Sequence, residues 1–220
     1  MVFRSTFIFF LFFFVLIGKT NAFVNNFSDV YQIYTQIAPK VPNAYSDPET
    51  VGPLVNEQIR QANQAIRFGG LEKARSILSQ LKDNSENFTS YERSVIWNYF
   101  GYLNWLENNL EDAIKFYKKL LSEPGSPVTT RQSTTYTLAT LSITIGNTEE
   151  GIEFLTEWMS KTSKVTPESY YLLAQGYFLL GDCSRSLTAA ESALYLLGIK
   201  SNWRGNAFYE EVQAMIAACK

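Results

Sequence analysis

An all-α chain, wound as a solenoid of about four helical hairpins and closed by one C-terminal helix, is the architecture this sequence predicts. Three observations lead there. A frame of small residues recurs as Ala62/Gly69/Ala74, Gly101/Asn108/Ala113, Ala139/Gly146/Gly151 and Ala174/Gly181/Ser186, its first members spaced by 39, 38 and 35 residues. Self-similarity at such a period is the mark of repeat architectures, in which each unit buries its apolar face on the next. Apolar residues around each turn keep helical spacing: Trp97, Phe100 and Gly101 share one face, and Ala113, Tyr117 and Leu120 continue it on the partner helix. Prolines stand at 39, 42, 48, 53, 124, 127 and 167, all before or between the predicted hairpins. None falls inside a helix, where a residue without an N–H would break the hydrogen-bond ladder.

The elements follow in chain order. Residues 1–22 read as a secretory signal: Arg4, an unbroken apolar run from Phe7 to Ile17, then a small-residue site ending at Ala22. As a helix that run covers roughly 17 Å, short of the ~30 Å hydrocarbon core, so no transmembrane span is expected in the mature chain. Residues 23–54 hold one amphipathic helix (Val30, Ile33, Tyr34, Ile37) and a proline-containing linker from Pro39 to Pro53. Four hairpins occupy about 55–88, 94–127, 132–165 and 167–200. Gly69, Gly146 and Gly181 stand at helix ends where a left-handed residue is favoured. Residues 201–220, with Phe208, Val212, Met215 and Ile216, form the capping helix that shields the last hairpin.

Trp97-x-x-Phe100-Gly101 followed by Ala113 and Tyr117, and Tyr170-x-x-Leu173-Ala174-x-x-Tyr177 with Gly181-Asp182, resemble tetratricopeptide repeats over residues 55–200. The resemblance implies a right-handed superhelix whose first helices line a concave groove. There the register places Asn98, Tyr102 and Trp105, then Tyr136, Thr140 and Ile143, then Tyr171, Gln175 and Phe178. Rings supply buried area at low entropy cost and amides can bond an extended backbone, so this stripe suits a protein or peptide partner. The same aromatics also fit plain packing: Trp105, Ile143 and Phe178 between repeats, with Tyr102, Tyr136 and Tyr171 left to face a ligand. Cochaperone versions of the repeat clamp a carboxylate with Lys and Arg on inner helices, and no such cation is expected on the first helices of repeats two to four. Departures from the repeat pattern are Gln61, Asn104, Gly151 and Ser186.

A narrower resemblance rests on Tyr91-Glu92-Arg93, Trp97 to Tyr102, Thr135 to Ala139 and Tyr171 to Gln175. These stretches are similar to secreted repeat proteins found with TonB energy-transduction components in gammaproteobacteria. That likeness implies a periplasmic adaptor with a TonB-system component as partner.

Two cysteines, Cys183 opening the second helix of the fourth repeat and Cys219 ending the capping helix, lie symmetrically about position 201. If the two helices pair antiparallel the thiols face each other, and in an oxidising compartment they form a disulfide; two separate buried thiols are the alternative.

Composition narrows the function. With 46% hydrophobic and 18% charged residues in 220 the chain can bury a core, while 19 basic against 21 acidic residues leave no footprint for a phosphate backbone. Nucleic acid is therefore not expected as a partner. No histidine occurs, which removes the Ser/His and Cys/His nucleophile pairs and imidazole-bound zinc. No metal, cofactor or catalytic residue is expected, and Glu149-Glu150 and Glu210-Glu211 read as solvated pairs. Asn26-Phe27-Ser28 and Asn87-Phe88-Thr89 match the glycosylation pattern. The expected function is thus a non-catalytic adaptor, periplasmic and accessory to TonB-dependent uptake. A cell-envelope assembly factor is the alternative, and a small-ligand binder or an enzyme working through carboxylates is the rival from another class.

Overall fold

The computed structural model describes residues 51–198 and 207–219. The signal segment, the helix around Val30–Ile37, most of the linker, the Asn26 pattern and the loop before the last helix lie outside the described residues. Within them the chain forms α1 (Pro53–Arg67), α2 (Leu71–Asp83), α3 (Ser90–Leu106), α4 (Leu110–Ser122), α5 (Val128–Thr144), α6 (Thr148–Lys161), α7 (Pro167–Leu179), α8 (Cys183–Leu197) and α9 (Ala207–Ala218), with a short 3-10 turn at Ser85–Asn87. No described helix is long and apolar enough to cross a membrane. Odd and even helices pair as hairpins, and each hairpin stacks on the next through the contacts of α2 with α3, α4 with α5 and α6 with α7; α9 closes on α8 and α7. First helices also meet first helices, α1 on α3 and α7 on α9.

The expected turns are one device repeated. Gly69, Asn108, Gly146 and Gly181 have φ of 78°, 62°, 89° and 74°, the left-handed region that glycine, and next best asparagine, enters at least cost. In the first hairpin Gly69 N–H donates to Ile66 O at 3.0 Å and Gly70 N–H to Ala65 O at 2.8 Å. Asn109 N–H to Asn104 O, 2.8 Å, and Asp182 N–H to Tyr177 O, 2.9 Å, repeat the second of these bonds, which spans five residues. Each turn thus satisfies carbonyls that would otherwise end a helix unpaired.

Helix starts are equally local. Thr89 and Glu92 form a reciprocal capping box before α3, and Thr166 and Ser169 form another before α7. Pro53 and Pro167 sit at the first helical position, where a missing N–H costs nothing. The Thr89 cap begins α3 at Ser90, and α5, without a side-chain cap, begins at Val128 after Pro127, both earlier than the repeat register alone placed them. The expectation of no cation on the first helices is corrected in consequence: Arg93 belongs to α3 and Arg131 to α5.

The small residues of the frame are the crossing points. Ala62, Ala74, Ala113, Ala139, Ala174 and Ser186 are fully buried. At Gly101 an added Cβ would lie 2.6 Å from the Tyr117 ring, and at Gly151 one would lie 2.5 Å from Ile143 Cγ1 and 2.9 Å from the Ala139 carbonyl. Gly151 is therefore not a weakened alanine; α5 and α6 approach too closely for one. Ser186 departs for another reason, its hydroxyl donating to Ala174 O at 2.9 Å. Bulky residues fill the space beside each crossing, as where Phe100 stacks on Phe116 at 4.6 Å. The core follows the array as three buried clusters, one from Val51 to Leu120, one around Tyr117 and Leu138 and one from Ala139 to Ile216, bridged by the partly buried Trp105, Leu121 and Phe154.

Cys183 and Cys219 are disulfide-bonded, with Cα atoms 5.2 Å apart. The bond pins the far end of α9, while Val212 and Ile216 bury against α7 and α8. Closing 36 residues is worth about 4 kcal/mol on the chain-entropy account. In a Cys183→Ser/Cys219→Ser variant the amides of α9 will exchange with deuterium markedly faster while those of α3 and α4 keep their protection. Gly101→Ala will cost about 1–3 kcal/mol in urea denaturation because the Tyr117 ring has to move. Gly69→Ala, with open space but a positive φ, will cost only about 1 kcal/mol.

Candidate functional site

The face presented by α3, α5 and α7 is built from residues repeating at i, i+4 and i+7, a spacing that keeps them in one line along each helix. On α3, Asn98 and Trp105 are half-buried while Tyr102 is 8% exposed, its ring stacked on that of Trp105 at 5.8 Å. On α5, Tyr136 is half-buried with its ring 4.7 Å from Trp158 of α6. Thr140 is buried and its hydroxyl donates to Tyr136 O at 3.1 Å, which leaves it little to offer a ligand; Ile143 is buried. On α7, Gln175 and Phe178 are half-buried.

Tyr171 departs from its expected role. It is 5% exposed, its ring lies edge-on to Phe208 at 5.2 Å, and its hydroxyl donates to Glu211 Oε2 at 3.1 Å. The capping helix covers it, so Tyr171 anchors α9 instead of facing a ligand. Glu211 is correspondingly not a solvated carboxylate, whereas Glu150 stays on an exposed face, where Lys118 Nζ lies 2.6 Å from it. Of the three tyrosines expected to face a ligand, the structure leaves Tyr136 half-buried and buries both Tyr102 and Tyr171.

Charge on these helices is spent on the joints between repeats. Glu123, at the end of α4, accepts from Ser90 Oγ at 2.9 Å, from Arg93 Nε and Nη2 at 2.9 and 2.8 Å, and from Trp97 Nε1 at 3.1 Å. Burial pushes its carboxyl up, but the hydrogen bonds from Arg93, Trp97 and Ser90 outweigh that and hold it below the ordinary carboxylate range. Arg131 donates from Nη1 to Leu121 O at 2.6 Å and Glu123 O at 3.3 Å, closing the C-terminus of α4. Glu92 binds the chain before α1 by accepting from Gly52 N–H at 2.8 Å. Asn104, nearly inaccessible, donates to Phe100 O at 2.7 Å and accepts from Arg75, which also pairs with Glu107. The two arginines that the sequence register missed are therefore joint residues, and no carboxylate clamp results. The Thr89-x-x-Glu92 spacing was the signal that would have found the earlier start of α3; nothing in the sequence marks Glu123 or Trp158 as partners.

Elsewhere, an open depression of about 510 Å³ lies along α4, lined by Glu111, Ile114, Lys115, Lys118, Lys119 and Ser122. It belongs to a second helix and not to the inner face. Among the described residues no group of Asp, Glu, Cys or His could hold a metal ion.

The Glu123 joint sets a pH dependence. Its folded-state carboxyl titrates below its unfolded value, so its contribution is complete above the unfolded value and is lost as pH falls through the folded one. Thermal stability will drop as pH is lowered below about 4, and Glu123→Gln, less stable at pH 7, will lose less over the same interval; equal slopes in the two proteins would show that the joint carries no charge dependence.

No protein-family profile matches the chain, and no curated protein matches it. Solved structures do. A crystal structure of MamA protein superposes with a TM-score of 0.55 at 16% identity, covering 77% of this chain and 91% of that one. The fragment of MamA from residue 41 to its end, from Desulfovibrio magneticus RS-1, gives 0.54 at 13% identity over 76% and 94%. The C-terminal part of a TPR repeat-containing protein from Cytophaga hutchinsonii gives 0.54 at 14% identity over 88% and 68%. Likeness at these identities concerns the fold, and the fold of this chain is that of an all-α tetratricopeptide-repeat solenoid.

Proposed function

We propose that the chain is a non-catalytic scaffold that binds a protein segment along the face of α3, α5 and α7. The observation that carries this reading is a set of unused hydrogen-bonding groups on an otherwise fully packed helix layer. Among the described residues the side chains of Asn98, Tyr102, Tyr136 and Gln175 make no hydrogen bond within the chain, although Asn104, Thr140 and Ser186 beside them are all satisfied internally. Their polar atoms are not among the buried unpartnered ones of the described residues, so they reach solvent and stay available to an external partner. An extended backbone can bond them with its own N–H and C=O groups.

The scaffold works in an oxidising compartment on this reading, which the Cys183–Cys219 bond supports because such bonds persist outside the reducing cytosol. Together with the signal-like residues 1–22 it favours the periplasm. Service to a TonB-dependent uptake system is the narrower form of the proposal, resting on the sequence stretches that resemble such proteins; assembly of another envelope structure is its alternative.

Pull-down from an envelope extract tests the scaffold. An Asn98→Ala/Gln175→Ala variant removes the amides without touching a crossing point or the Tyr171 anchor, so its circular dichroism and melting will match the parent. Recovery of the protein partner will fall at least several-fold; undiminished recovery by a folded variant would sink the reading.

A further inference from the structure

The second helices carry a charge pattern that the packing of the array does not use. Two and six residues beyond the small residue near the start of each second helix (Ala74, Ala113, Gly151, Ser186), the chain places Ser76 and Gln80 on α2, Lys115 and Lys119 on α4, Glu153 and Glu157 on α6, and Thr188 and Ser192 on α8. These are the same two register positions in every hairpin, so they form rows across one outer face. All are exposed except the half-buried Ser192. From α2 to α8 the rows read neutral, positive, negative, neutral. α4 and α6 are neighbours on that face, because Lys118 Nζ of α4 lies 2.6 Å from Glu150 Oε1 and 5.9 Å from the centre of the Phe154 ring on α6.

Within the described residues none of these four charges joins one hairpin to the next. Lys115 reaches only Asp112 of its own helix at 4.0 Å, and Glu157 only Lys161 of its own helix. Lys119 lies over the Trp97 and Phe116 rings at 4.9 and 5.6 Å. Exposed pairs within one helix are worth little, so both signs stay available. A pattern that reverses sign about a central line is its own complement. A two-fold axis running along the helices between α4 and α6 lays α4 of one copy on α6 of the other, and neutral α2 on neutral α8. Lys115 and Lys119 of each copy then meet Glu153 and Glu157 of the other. An acidic foreign surface would match α4 but be repelled by α6, and a basic one the reverse. The first turns of both helices are acidic, at Glu111 and Asp112 and at Glu149 and Glu150, so the copies cross with those turns splayed and the lysine-bearing depression of α4 in contact.

We infer that the outer face of α4 and α6 docks on the same face of a second copy of this chain, through pairing of Lys115 with Glu153 and of Lys119 with Glu157. The contact is small and polar, so the dimer is weak, with a dissociation constant on the order of 10–100 μM at low salt. It lies opposite the face of α3, α5 and α7 and does not rest on the scaffold reading; the dimer leaves both inner faces open. Sedimentation equilibrium of the mature chain, with its disulfide intact, tests this. The parent will dimerise reversibly at about 20 mM salt, and its dissociation constant will rise at least about tenfold at about 0.5 M. Lys115→Glu and Glu153→Lys touch neither a ring contact nor a joint between repeats, so each will keep the parent's melting temperature. Each will nevertheless be monomeric at the same concentrations, because like charges then face each other in both halves of the interface. An equimolar mixture of the two variants will dimerise, since every facing pair is again of opposite sign.

A parent that stays monomeric up to about 500 μM at low salt overturns the inference. So does a dimer that neither reversal weakens, which would place the contact on another surface. Loss of the dimer in Lys115→Glu with Glu153→Lys unaffected overturns it too, because α6 then takes no part, and so does failure of the mixture to associate. The Asn98→Ala/Gln175→Ala variant will dimerise like the parent. The pull-down and the sedimentation experiment therefore fail independently: a lost scaffold leaves the dimer standing, and a monomeric parent leaves the scaffold standing.

Discussion

Close approach of helices at small residues is the constraint on which the rest of the structure depends. A hairpin of two amphipathic helices of this length cannot shield its own apolar flank, so each must lend that flank to the next. The lending works only if the backbones come near enough for side chains on both sides to interlock, and Gly101 under the Tyr117 ring and Gly151 against the Ala139 carbonyl show how near that is. Once the crossings are set, the turns have to deliver the second helix at a fixed angle. That task falls to four left-handed residues, one of them Asn108. The polar joints at Glu123 and Arg75 then fix how one hairpin sits on the following one.

Much of this was legible in the sequence because small residues and left-handed turn residues have few other reasons to recur together. The frame from Ala62 to Ser186 located the crossing within each hairpin, though not the approach of Gly176 to Ile152 between hairpins, and the mean position of Cys183 and Cys219 pointed to their bond. Helix starts were less legible, since the apolar period says where a helix is buried and not where its first turn begins. The capping boxes at Thr89 and Thr166 decide that, and reading them would have placed Arg93 on α3. Long-range polar partners were not legible at all. Nothing local to Glu123 says that three donors from α3 converge on it, and the burial of Tyr171 follows from a helix 40 residues downstream.

The register placed the three tyrosines on one helix face, and how deeply each is buried was not legible from it. Position in the repeat put the three tyrosines in equivalent places, yet equivalence of register does not carry through to equivalence of environment at the end of an array. Tyr136 has a whole hairpin beyond it, whereas Tyr171 has only α9, a single helix that settles onto the tyrosine ring through Phe208. A cap built from one helix takes for packing a ring that an interior repeat leaves half-buried.

The neutrality of the inner face has the same architectural origin. The arginines of α3 and α5 lie near their N-terminal turns, beside the end of the preceding hairpin's second helix, where carbonyls left without intrahelical partners and the negative end of the helix dipole attract a cation. Arg131 meets the end of α4 in that way directly, and Arg93 meets it through the Glu123 carboxylate. Cations used to join one repeat to the next are unavailable to a ligand, so an array joined in this manner keeps hydroxyls, amides and rings along its inner side. A stack joined in this way leaves few charges along α3, α5 and α7, and substituting a lysine at Asn98 would add one that no joint uses.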